Sequence, residues 1–112
     1  MPSQSEPDRQ SIRAAFDTAV NMTAPELTDW LKTNESRRVG QKKDGGESIG
    51  HASGRRIVRI LQATAGALND EDYRHMRKVV GFIRRHRAQE PENMVTSRWR
   101  YSLMNWGHDP LK

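Results

Sequence analysis

The stretch NDEDYRHMRKVVGFIRRHRAQEP, residues 69–91, decides how this chain folds. Asn69 can cap a helix. Asp70, Glu71 and Asp72 then suit the positive end of its dipole, and Arg84, Arg85 and Arg87 suit the negative end. Pro91 bars continuation beyond Gln89. At about 100° per residue, Met76, Val79, Val80 and Ile83 fall on one side, with Tyr73 and Phe82 at its margins. Arg74, Arg77, Lys78, Arg84 and Arg85 fall on the opposite side. A 3.6-residue period of this clarity specifies a long amphipathic helix with one core face and one basic face.

Working outward, the same period recurs. Ile12, Ala15, Phe16, Ala19 and Val20 predict a helix from Ser11 to about Asn21. Thr23 and Glu26 form a capping-box pattern with Pro25 in the tolerant first turn, and Leu27, Trp30 and Leu31 give the second helix its buried face as far as Thr33. Residues 34–54 carry five glycines and the Lys42-Lys43-Asp44 triplet, so a long Gly-rich loop is expected there. His51 or Ser53 starts a third helix whose face is Ile57, Val58, Ile60 and Leu61, and Gly66 stops it. A last short helix runs from Thr96 or Ser97 to Asn105 and ends at Gly107.

The expected fold is a single all-α domain of four to five short helices over residues 11–112, preceded by a disordered tail over residues 1–10. Its core is expected to comprise Phe16, Leu27, Trp30, Leu31, Ile57, Ile60, Leu61, Met76, Val80, Ile83, Trp99 and Leu103.

With 112 residues, 34% hydrophobic and 6% aromatic, the chain can build one modest core. Cysteine is absent, which excludes disulfides, thiolate metal sites and cysteine nucleophiles. No apolar stretch approaches the ~20 residues of a membrane span, so a soluble cytoplasmic protein is expected, nucleoid-associated in a bacterial cell and without a membrane partner. The net charge of +5 is uneven. Residues 1–36 hold 3 basic and 6 acidic groups, whereas residues 37–112 hold 16 basic and 8 acidic ones. A concentration of positive charge attracts polyanions and speeds their encounter.

Two consecutive helices carry this charge: Arg55, Arg56 and Arg59 oppose the apolar face of the third, as the stripe of Arg74, Arg77, Lys78, Arg84 and Arg85 does on the fourth. The fourth has no acid between Tyr73 and Gln89 to neutralise its cations at i,i+4 within that stretch. Gly81 lies within the stripe, where a missing side chain would let a phosphate backbone come close. These features predict a non-enzymatic protein that binds duplex DNA through its phosphates with weak sequence preference, with Lys42 and Lys43 on a loop arm that adds contacts. RNA shares the phosphate chemistry and stays open. The third and fourth helices could act as a helix-turn-helix, or the second and third as a helix–loop–helix module.

The competing class is an interaction or adaptor module, including a homodimer, whose basic faces are incidental. No cofactor, metal or catalytic residue is expected. His75 and His86 stand about 16 Å apart on one helix and cannot share an ion. His51 and His108 lack recognised ligand spacing, and the Gly45-to-Gly50 segment lacks the P-loop Lys-Ser/Thr. Trp30, Trp99 and Trp106 sit at helical spacing from other apolar residues, which marks them as core or partner contacts before base-stacking platforms.

Several blocks also resemble a known family. Gly46-Glu47-Ser48-Ile49-Gly50-His51, Ser53-Gly54-Arg55-Arg56-Ile57, His75-Met76-Arg77-Lys78-Val79-Val80-Gly81 and Arg98-Trp99-Arg100-Tyr101-Ser102-Leu103-Met104-Asn105-Trp106-Gly107-His108-Asp109-Pro110 are similar to a family of small bacterial and fungal proteins of unknown function, commonly catalogued as DNA-binding proteins. The resemblance implies DNA binding without enzymatic activity and transfers no site residues.

Overall fold

The computed structural model describes residues 8–39, 46–92, 95 and 97–112. Among them are six α-helices and no strand: α1 (Arg9–Ala19), α2 (Ala24–Leu31), α3 (Asn34–Arg38), α4 (Ile49–Gln62), α5 (Asp70–Arg87) and α6 (Arg98–Asn105). A 3₁₀ turn, Ala65–Ala67, lies between α4 and α5. The chain is all-α, with more helices than the four or five expected.

The caps account for the helix starts. Asp8 accepts the Ser11 amide at 2.7 Å, so α1 begins inside the expected tail. Arg9 is then drawn to α5, paired with Asp70 and 4.7 Å from the Tyr73 ring centroid. Residues 8–10 are therefore not a disordered tail, and residues 1–7 lie outside the described residues. Thr23 with Glu26, and Asn69 with Asp72, form complete capping boxes, while Ser97 caps α6.

The expected loop over residues 34–54 is corrected at both ends. Thr33 caps the short α3, whose Ser36 is fully buried, and Val39 is buried beyond it. Ser48, not His51 or Ser53, starts α4 by accepting the His51 amide at 3.0 Å. Gly50 and Gly54 thus lie within a helix despite a cost of about 1 kcal/mol each relative to alanine. Tertiary contact explains them, because a Cβ at Gly54 would sit 2.6 Å from the Asn105 carbonyl oxygen and 2.7 Å from Leu31. At Gly50 it would sit 3.1 Å from the Trp106 indole nitrogen. Helix α4 ends before Ala63, not at Gly66.

Helix α1 packs along α5 and α2 along α4, while α6 touches α2, α3, α4 and α5. Phe16, Leu27, Leu31, Ile57, Ile60, Met76, Val80, Ile83 and Leu103 are buried as expected. Trp30, Leu61 and Trp99 are only partly buried against that core. Ile12, Val20, Met22, Leu68, Tyr73, Val79 and Trp106 complete it.

Asn105 is the polar centre of the packing. Its Oδ1 accepts from Trp30 Nε1 at 2.7 Å and from the Ser36 hydroxyl at 2.5 Å, and its Nδ2 donates to the Ser36 carbonyl at 2.9 Å. Beyond it Gly107, at φ 83°, forms a Schellman cap: the His108 and Gly107 amides donate to Leu103 and Met104. The Gly107 carbonyl then accepts both the Asn21 and Met22 amides. Asn21 and Asp109 exchange a further pair of hydrogen bonds, at 3.0 and 2.8 Å, and His108 Nδ1 donates to the Ala19 carbonyl. The chain's last segment thereby clasps the corner between α1 and α2.

The contrast between two glycines tests this packing. Gly54→Ala forces a methyl group into backbone and should cost about 1–3 kcal/mol in urea denaturation, as overpacking does. Gly66→Ala, where nothing lies within 4 Å, should be neutral or stabilising by up to about 1 kcal/mol.

Candidate nucleic-acid interface

The core face of α5 is buried through Tyr73, Met76, Val79, Val80 and Ile83, so the remaining arc must meet solvent. Arg74, Arg77, Lys78, Arg84 and Arg85 are all exposed on it. Among the described residues no carboxylate lies within ion-pair distance of any of them.

The stripe faces two ways. Arg77 and Arg84 border a hollow shared with Ser11, Ile12 and Ala15 of α1. Lys78 and Arg85 border a larger groove toward α4 and α6. Arg74 and Lys78 also line a shallow hollow with Arg56, Glu71 and His75, where the basic residues of α4 and α5 meet. Gly81 does not leave an open approach: the Arg85 guanidinium folds back over it, 3.0 Å from where a Cβ would stand.

The basic face of α4 is different in kind. Arg55 binds Glu47 with two bonds, Nε to Oε2 at 2.8 Å and Nη2 to Oε1 at 2.6 Å. That guanidinium, helped by His51, holds the Glu47 carboxyl down to about 2 against the opposing effect of its desolvation. Arg56 pairs with Asp72 at 3.3 Å. Arg59 is exposed with no such partner among the described residues, although its charge helps hold the Asp72 carboxyl low, after the Asn69 and Arg56 hydrogen bonds. Lys42 and Lys43 lie outside the described residues.

The groove brings in residues that sequence reasoning did not assign to a site. Its volume is about 860 Å³, and Arg98, Trp99 and Trp106 of the α6 segment line it together with Phe82 and His86 of α5. The Phe82 ring stacks on Trp106 at 4.3 Å and 15° and on His86 at 4.9 Å and 19°. The Trp99 indole N–H donates to the His86 carbonyl at 2.6 Å. Helical period locates each residue on its own helix but cannot bring α6 against α5.

The histidines are bound into the structure. His51 faces the Leu31 carbonyl at 2.8 Å and the Glu47 carboxylate. His75 meets the Ser53 hydroxyl at 2.9 Å, and burial, with the nearby Arg56 and Lys78 charges, pushes its pKa down to about 4. Burial also lowers the pKa values of His86 and His108. Among the described residues no three His, Asp or Glu side chains gather closely enough to hold a metal ion. Nor is any helix among them long and apolar enough to cross a membrane.

A family match covers residues 15–104. The chain belongs to the family described as "Protein of unknown function (DUF3140)". The DUF3140 match runs from the middle of α1 to the last turn of α6, so it takes in both basic helices and the groove residues other than Trp106, and stops short of Gly107. No curated protein and no solved structure matches the chain.

The depressed His75 pKa fixes the sign of a pH effect. Between pH 6.5 and about 4 the unfolded chain takes up a proton that folded His75 refuses, so stability is full above that window and falls as pH drops through it. His75→Gln should flatten part of this fall in urea midpoints measured from about pH 7 to about pH 4.5. The remainder belongs to His86 and His108. The lowered carboxyls of Glu26 and Glu47 act below that window, between 4.5 and about 2.

Proposed function

We propose that this chain is a non-enzymatic protein that binds double-stranded DNA, chiefly through phosphate contacts made by the outer face of α5 and with weak sequence preference. The observation that carries this reading is the contrast between the two basic helices. Arg55 and Arg56 are neutralised by Glu47 and Asp72, whereas Arg74, Arg77, Lys78, Arg84 and Arg85 have no carboxylate partner among the described residues. Unpaired, exposed guanidinium groups suit phosphate oxygens and release counterions on contact. The stripe is about 16 Å long from Arg74 to Arg85, matching a stretch of duplex that carries roughly ten charges.

Contact along the side of α5 fits better than insertion of its N-terminus. A helix-turn-helix presents the start of its second helix to base edges, and α5 starts with Asp70, Glu71 and Asp72, which repel phosphate. The connection over residues 63–69 is also longer than the three to four residues of that motif. Arg59 and the Lys42-Lys43 segment are secondary contacts in this reading, and the cell compartment that follows from it is the cytoplasm or nucleoid.

A gel-shift titration of duplex DNA, single strand and RNA at two salt concentrations tests the proposal. With about six phosphates contacted, log affinity for duplex should fall against log salt with a slope of about −5. The double substitution Arg77→Ala, Arg84→Ala should weaken every duplex alike and make the slope shallower by about 2, while unfolding free energy changes by less than about 0.5 kcal/mol for each substitution. Unchanged affinity and slope would return this face to plain solvated surface and favour the interaction-module class.

A further inference from the structure

We propose that the groove between α4, α5 and α6 receives an unpaired nucleotide of single-stranded DNA, its base against Trp99 and its phosphates between Lys78, Arg85 and Arg98. The inference rests on the reading above in one respect, that Lys78 and Arg85 meet phosphate.

Three observations carry it. The first is charge: Lys78, Arg85 and Arg98 line the groove, and no carboxylate does among the described residues. The second is ring geometry. Phe82 is already stacked between Trp106 and His86, at 4.3 and 4.9 Å, and Trp99, half-buried on the border of the same space, is the ring left to meet a base. A positive groove bordered by an aromatic platform is the arrangement by which single strands are held, because every base has a face that can stack. The third is size and position. A volume of about 860 Å³ is within the roughly 300–1,000 Å³ of ligand sites, and the groove opens beside the α5 stripe because Lys78 and Arg85 belong to both. An intact duplex keeps its bases stacked inside, so the ring wall offers it nothing; an unpaired base can leave the stack and enter.

The side chains divide the work. Arg98 is the first residue of α6 and is exposed, so it adds charge without holding the core. Trp99 is half-buried and tied to the His86 carbonyl, so its ring is fixed before any ligand arrives. Prior fixing lowers the entropy that binding must overcome.

The test titrates the full-length protein with a short oligothymidylate, followed by tryptophan fluorescence and by anisotropy of labelled oligomer, with labelled duplex in parallel. Oligothymidylate should quench the tryptophan emission. By anisotropy, Trp99→Leu should weaken the single strand by roughly tenfold, as loss of one stacking platform does, and leave duplex affinity within about twofold. Arg98→Ala should weaken the single strand more than the duplex. Should circular dichroism show Trp99→Leu unfolded, the exposed Arg98→Ala decides. Single-strand binding that leaves the tryptophans unquenched, or that neither substitution weakens, overturns the proposal. Quenching by oligoglutamate of equal charge, weakened by the same substitutions, also overturns it and makes an acidic polypeptide the occupant. The two readings fail separately. Loss of duplex binding with the single-strand response intact removes the first and leaves the groove standing; the reverse removes the groove alone.

Discussion

The buried amide of Asn105 holds three helices together and sets the distance to a fourth. From α6 it reaches the Trp30 indole of α2 and both the hydroxyl and the carbonyl of Ser36 in α3, while its own backbone carbonyl lies where Gly54 of α4 leaves room. The residue is about 1% exposed, so water cannot replace a lost partner. Each satisfied bond contributes only about 1 kcal/mol net, but an orphaned buried group costs about 1–3 kcal/mol. That asymmetry makes the arrangement specific: any other placement of α6 leaves several polar groups dry and unpaired. The position of α6 in turn brings Trp106 onto Phe82 and creates the groove wall.

Core burial lets α5 carry a repulsive stripe. Like charges at helical spacing cost a few tenths of a kcal/mol per pair, whereas burying Met76, Val79, Val80 or Ile83 contributes about 1.5–3 kcal/mol each. The helix therefore survives without neutralising its own cations. Acids pair with cations elsewhere: Glu47 holds Arg55, Asp72 holds Arg56, and Asp109 holds Arg100 through two bonds of 3.2 and 3.1 Å.

The sequence blocks 46–57, 75–81 and 98–110 divide by physical role in the structure. Gly50, Ser53 and Gly54 are buried on the contact side of α4. Asn105, Gly107, His108 and Asp109 build the amide centre and the clasp on the corner between α1 and α2. Within His75-Met76-Arg77-Lys78-Val79-Val80-Gly81, by contrast, Arg77 and Lys78 are exposed while Met76, Val79 and Val80 are buried. The distinctive residues at the chain's end thus serve mainly to hold the framework, and the exposed cations of α5 are what the framework displays.

The sequence by itself determined the helical class, the helix faces and half of the N-caps, because these depend on period and on groups three or four residues apart. Thr23 with Glu26, Asn69 with Asp72, Ser97 and Gly107 all act through such local bonds. The glycines of residues 34–54 read as loop because local propensity is all that a single stretch reveals. Gly50 and Gly54 are helical because Trp106 and Asn105, more than fifty residues away in sequence, require the missing side chains. Pairing outside the i,i+3 and i,i+4 spacings of one helix likewise hid what sets Arg55 and Arg56 apart from the α5 stripe: Arg55 meets Glu47 in the turn before α4, and Arg56 meets Asp72 across two helices. Contacts between distant segments have no period to reveal them, so the groove and the division between paired and unpaired arginines belong to tertiary structure alone.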